Sequence, residues 1–129
     1  MSKILAEISA GELLDKISIL EIKLDKIKDP VQLSSVKKEY DFLNETKNKN
    51  ITFSKELNDL YKNLKEANEK LWKIEDEIRL CEKNSDFNDK FIKLARDVYF
   101  TNDKRSRTKL EINNILGSNI HEVKKYTDY

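Results

Sequence analysis

Apolar residues recur along most of this chain in alternating steps of four and three, the spacing that lines up one face of a helix. The rhythm is cleanest from Phe53 to Cys81, through Leu57, Leu60, Leu64, Ala67, Leu71, Ile74 and Ile78. At the helical rise per residue that stripe is about 42 Å long. Opposite charges four apart, such as Glu66–Lys70, Glu69–Lys73 and Lys73–Glu77, support its outer side. A shorter stripe, Leu13, Ile17, Leu20, Leu24 and Ile27, is widened by Leu14, Ile19 and Ile22, which predicts a helix near the centre of the fold. It opens on Ser9-Ala10-Gly11-Glu12, a capping box. Asp29-Pro30 ends it and starts the next helix, since aspartate caps well and proline suits the first helical position. That second helix carries Leu33, Val36, Tyr40 and Leu43, and the polar run Asn44 to Asn50 reads as a connection.

The last stripe stops and resumes. Phe91, Val98, Arg105 and Ile112 lie seven apart, with Leu94, Thr101, Thr108 and Ile115, or Ala95, Asn102, Lys109 and Leu116, between them. Either set is apolar at its ends and polar in its middle, and the register agrees across the gap. No Gly or Pro interrupts it, so the pattern predicts one helix, about 86–116, capped at its start by Ser85 or Asp86 and ended by Gly117. Arg105 then faces inward. The remaining residues, 118–129, form a tail in which Ile120, Val123 and Tyr126 stand three apart, as for docking by a short turn. Nothing alternates as a strand would. The expected architecture is one all-α domain, 1–117. It is an antiparallel four-helix bundle with coiled-coil-like packing, two long helices (about 53–83 and 86–116) and two shorter ones (about 10–28 and 30–46).

Composition sharpens this picture at a few points. Charged residues are 38% of the chain, while Gly and Pro total three, as expected of long helices. Basic and acidic residues number 25 and 24, so no general polyanion-binding role follows and nucleic acid is not favoured as a partner. No apolar run reaches the length of a membrane span, and the first residues lack a signal peptide's pattern. One cysteine, Cys81, cannot form an internal disulfide and reads as a small core residue. These features point to a soluble cytoplasmic protein. Against 21 lysines there are four arginines, Arg79, Arg96, Arg105 and Arg107, all in one stretch. In a lysine-rich chain an arginine marks places where a planar, multi-donor cation is needed.

An inward arginine requires carboxylates. In an antiparallel bundle Glu75 and Arg79 approach Arg96 and Tyr99, so the first helix has to supply the acid for Arg105. The sequence therefore nominates a polar cluster of Glu12, Asp15, Glu21, Glu75, Asp76, Arg79, Arg96, Asn102, Asp103 and Arg105, with Lys16 beside it. Three roles are open: an ion-paired network that fixes helix register, a pocket for a ligand, or a solvated face. Elsewhere, Lys104, Arg105, Arg107 and Lys109 form a basic run able to meet phosphate, although Asp103 and Glu111 within it favour a solvated face. Tyr61, Asn68, Trp72, Glu75 and Arg79 mark a second face of the long helix, on which Trp72 is either an interface anchor or packed against a neighbour. His121 has no ligand-spaced companion, which argues against zinc, and one His with one Cys argues against a catalytic triad.

Three stretches carry a resemblance: GELLDKISILEIK (11–23), LWKIEDEIR (71–79) and FIKLARDVYFTNDKR (91–105). Together with the LGSN turn (116–119), they resemble a small all-helical family of bacterial and phage proteins known only as a domain of unknown function. The resemblance implies an all-helical fold and no established activity. It also implies motif positions at Glu12, Asp15, Lys16, Glu21, Lys23, Glu75, Asp76, Arg79, Arg96, Asn102, Asp103 and Arg105. HEVKKY (121–126) departs from the acidic-Lys-Ser-Tyr ending of that family.

The leading expectation is an interaction or scaffold protein without a cofactor. It is expected to be a homo-oligomer, preferably a dimer because the long seam outruns the shorter helices, and able to take a protein partner. The alternative is a helical enzyme or binding protein for a small anionic ligand. One form would resemble the all-α nucleotide pyrophosphohydrolases, with Glu12, Asp15, Glu75 and Asp76 on Mg²⁺. The other would resemble helical chorismate mutases, with Arg79, Arg96, Arg105 and Lys16 clamping a dicarboxylate.

Overall fold

A computed structural model describes residues 1–129. Its four helices are α1 (Ala10–Lys26), α2 (Pro30–Asn50), α3 (Lys55–Lys83) and α4 (Asp89–Leu116), and there is no strand. Each starts on a side chain that accepts from an otherwise unpaired amide of the first turn. Ser9 accepts from Glu12, Asp29 from Gln32, Ser54 from Leu57 and Asn88 from Lys90.

Chain direction follows from the contacts. Short connections fold α2 back on α1 and α4 back on α3, so the four helices run up, down, up and down. α1 packs against the other three, α3 and α4 pack along each other, and α2 rests on α1 alone. The result is an all-α four-helix bundle with α1 at its centre, as the wide apolar face of its sequence requires. Leu13, Leu14, Ile17, Leu57, Leu64 and Ile112 form the main core, with Tyr40 and Leu43 of α2 against it. A second cluster, Ile74, Cys81 and Leu94, lies further along α3 and α4, flanked by Ile78, Phe91 and Val98. α1 is 17 residues long and α3 is 29, so α3 projects beyond the end of α1, by roughly 10 Å after Asp76. Past Asp76, where the last turn of α1 ends beside α3, α3 and α4 continue as a two-helix arm.

Several boundaries depart from expectation for local reasons. α1 stops at Lys26, because Ile27 is already extended and Asp29 precedes a proline. α2 runs on to Asn50, and the polar run after Leu43 is helical. Glu45 pairs with Lys49, Thr46 donates to the Phe42 carbonyl and Asn50 donates to the Thr46 carbonyl. α3 starts at Lys55, behind the Ser54 cap. α4 starts at Asp89 and its cap is Asn88, where Ser85 or Asp86 was expected. Ser85 instead ends α3 in the left-handed conformation, φ 52°, with its amide on the Glu82 carbonyl and the Asp86 amide on the Cys81 carbonyl. The same pair of bonds closes α4 around Gly117, φ 63°. Through the polar stretch Thr101–Lys109 α4 remains one continuous helix.

The tail does not form the expected turn. Residues 119–129 carry no regular secondary structure, and Ile120, Val123 and Tyr126 are exposed. It is tethered through Glu122 to Lys109 (3.4 Å) and through Tyr129, whose hydroxyl donates to Asp103 and whose ring meets Tyr99 and Phe100. No helix is long and apolar enough to cross a membrane.

Candidate functional site

Where α1, α3 and α4 meet, the apolar stripe of α4 gives way to polar side chains around one buried carboxylate. Asp15 projects from α1 and is 1% exposed. Arg105 of α4 grips it with two bonds, Nε to Oδ1 at 2.9 Å and Nη2 to Oδ2 at 2.5 Å. This is the fork geometry only a guanidinium supplies. Asn68 of α3 donates to Asp15 Oδ1 at 2.9 Å and to Ser18 Oγ at 2.8 Å, and Ser18 donates to the Asp15 carbonyl at 2.8 Å. Lys109, one turn beyond Arg105, adds its charge 3.7 Å from Asp15 Oδ2 and bonds Glu12 at 2.7 Å. Burial pushes the Asp15 carboxyl toward the neutral form, but the bonds from Arg105 and Asn68 and the charges of Arg105 and Lys109 outweigh it, so its pKa falls below 3.8. The same bond with Asp15 raises the Arg105 pKa. Asp15 is therefore ionised, dry and fully partnered.

Below this cluster α1 and α4 come close enough to exclude a side chain. A Cβ on Gly11 would stand 2.5 Å from the Lys109 carbonyl oxygen and 2.8 Å from Asn113 Oδ1. The Gly11 amide donates to that same Asn113 oxygen at 2.6 Å, and the Ala10 amide donates to Ser118 Oγ at 2.9 Å. Two amides of the first turn of α1 are thus satisfied by the far end of α4 and the turn after it.

Of the residues nominated from sequence, Glu12, Asp15 and Arg105 come together here. Lys16 stands at the edge, 3.8 Å from Glu12. Glu21 lies along α1 and forms its own half-buried group with the Tyr61 hydroxyl and Lys65. The others are elsewhere. Glu75 and Arg79 pair with each other on the exposed surface of α3, at 3.4 Å. Asp76 is exposed at the notch where α1 ends. Arg96 is exposed and stands over the Phe100 ring. Asn102 and Asp103 are half-buried, Asp103 facing the tail tyrosine. The single ten-residue cluster expected inside the bundle is therefore corrected: α3 and α4 carry its distal members past the end of α1. The same geometry keeps Glu12 and Asp15 apart from Glu75 and Asp76, and no three His, Cys, Asp or Glu side chains are arranged to hold a metal ion.

The cluster's other members, Asn68, Ser18, Lys109, Asn113 and Glu122, were not nominated. Asn68 and Lys109 carried a signal, being polar at inward registers of α3 and α4. Ser18 is only a small residue one turn after Asp15, and Glu122 lies in the tail, outside the four helices.

A family model for a family of unknown function, DUF6165, matches residues 4–128. The chain belongs to DUF6165. The match covers nearly its whole length, so the helices, the buried cluster and the tail up to Asp128 fall within the DUF6165 unit. No curated protein and no solved structure matches it.

Proposed function

We propose that this DUF6165 chain is a non-catalytic cytoplasmic interaction protein that acts as a homodimer or on a protein partner. The observation that carries this reading is the state of its two non-helical terminal segments. Residues 1–8 and 119–129 make no backbone–backbone hydrogen bond. Their apolar side chains are bare: Leu5 is 88% exposed and Val123 86%. Asn119 bonds Glu7 at 3.0 Å, which joins the two segments where they leave the bundle. Backbone groups without backbone partners are free to pair with another chain, and bare apolar side chains beside them mark contact surfaces.

The buried cluster supports the same reading by being spent. Its carboxylate and both cations are committed to one another, so it serves as an internal lock. The one sealed side-chain atom without a partner, Asn44 Oδ1, is on α2, outside it. This weighs against the enzyme alternative, which needs Asp15 or Arg105 free to meet a ligand. The far halves of α3 and α4 support coiled-coil packing, since Ile74, Ile78 and Cys81 face Phe91, Leu94 and Val98 at steps of three and four. A buried free thiol at Cys81 is compatible with a reducing cytoplasm.

Sedimentation equilibrium tests the reading. The wild type should fit a monomer–dimer equilibrium, and Leu5→Asp with Val123→Asp should shift it to monomer at unchanged helicity. A wild-type chain that stays monomeric at every concentration, or a variant that dimerises equally well, would overturn the homodimer. Stabilisation by Mg²⁺ with pyrophosphate that Arg105→Lys abolishes would restore the enzyme alternative.

A further inference from the structure

Of the four clustered basic residues on α4, two are consumed by the buried network and two are not. Arg105 and Lys109 point toward α1 and its carboxylates. Lys104 and Arg107 line a groove of about 500 Å³ between α4 and α3, where Lys70 joins them. None of these three cations lies within ion-pair distance of a carboxylate. Glu66 is the one acid on the groove wall. The nearby acids are engaged, Asp97 by Lys93 at 2.8 Å and Asp103 by the Tyr129 hydroxyl.

The floor supplies a second, independent observation. Thr101 lines the groove and is 5% exposed. Helical threonines usually return their hydroxyl to the carbonyl one turn back. Thr46 does so to Phe42 and Thr108 to Lys104. Thr101 makes no such bond, and its hydroxyl is not among the atoms sealed from solvent. A nearly buried threonine whose hydroxyl makes no bond to its own helix thus lines the groove shared by three cations outside any ion pair.

We propose that this groove binds the phosphoryl group of a small molecule. Arg107 would offer a two-pronged donor, Lys70 and Lys104 would supply point charges, and Thr101 a hydroxyl donor at the floor. This site shares no residue with the buried network.

The test is a titration of ¹⁵N-labelled full-length chain with inorganic pyrophosphate at constant ionic strength, followed through the amides of Lys70, Thr101, Lys104 and Arg107. A saturable shift confined to these positions is expected below about 10 mM. Arg107→Gln and Lys104→Gln should each weaken it by about tenfold, the size of one lost charge-assisted bond. Thr101→Val, which keeps shape and charge, should also weaken it. Sodium chloride of matched ionic strength should produce no such pattern. No saturable shift, or shifts spread evenly over the lysine-rich surface and unaltered in Thr101→Val, would overturn the proposal.

Discussion

Asp15 concentrates the physics of this chain in one carboxylate. Replacing Arg105 by leucine would leave that charge dry and half-partnered, and should cost about 3–5 kcal/mol in urea unfolding. Arg105→Lys restores a charge without the fork and should recover only part of the loss. The pH dependence has a definite sign. Because the folded-state pKa of Asp15 lies below its ordinary 3.8, the folded chain binds fewer protons than the unfolded one, and stability rises with pH through that region. Its contribution is complete above the ordinary value and drains away as pH falls through the folded one. Acid titrations of unfolding free energy should show this slope, flattened in Asp15→Asn. Sequence made Arg105 legible, because a rare arginine stood in an inward register, and the demand for an acid from the first helix led to Asp15. Which side chains would complete the shell was not legible. Asn68 and Lys109 join it through the lateral stagger of three helices, a quantity that no periodicity encodes.

Helix identity was plain wherever apolar spacing ran unbroken, and least plain where polar side chains bond their own backbone. The last turn of α2 is helical through Thr46, Asn50 and the Glu45–Lys49 pair, none of which registers in an apolar stripe. The α3–α4 corner is similar. A serine at φ 52° occupies a position that favours glycine, so Ser85→Gly should raise stability by about 1 kcal/mol in urea titrations. The close approach of α1 to α4 at Gly11 predicts the opposite for Gly11→Ala. The nearest obstacle is a backbone carbonyl, which cannot swing away, so a loss of about 1–3 kcal/mol is expected from overpacking.

The molecule as a whole is uneven. α1 makes the lower part a many-sided core, while the arm of α3 and α4 is one helix against one helix. Amide hydrogen exchange should therefore protect Leu14–Leu20 and Leu57–Leu64 most, and release the arm around Leu80 and Ile92, both more than half exposed, at lower opening cost. The lock at Asp15 also bears on the order in which the chain assembles. Its bonds join residues 53 and 90 positions apart, so they cannot form until three separate helices have found one another, and loop closure opposes that meeting. Hairpins joined by short turns need no such encounter. The Asp15–Arg105 pair should then be made after the rate-limiting barrier, giving Arg105→Leu a φ-value near zero. In stopped-flow refolding the variant should fold at nearly the wild-type rate and unfold much faster, which makes this buried pair a latch on the finished bundle, closed last and first felt when the bundle opens.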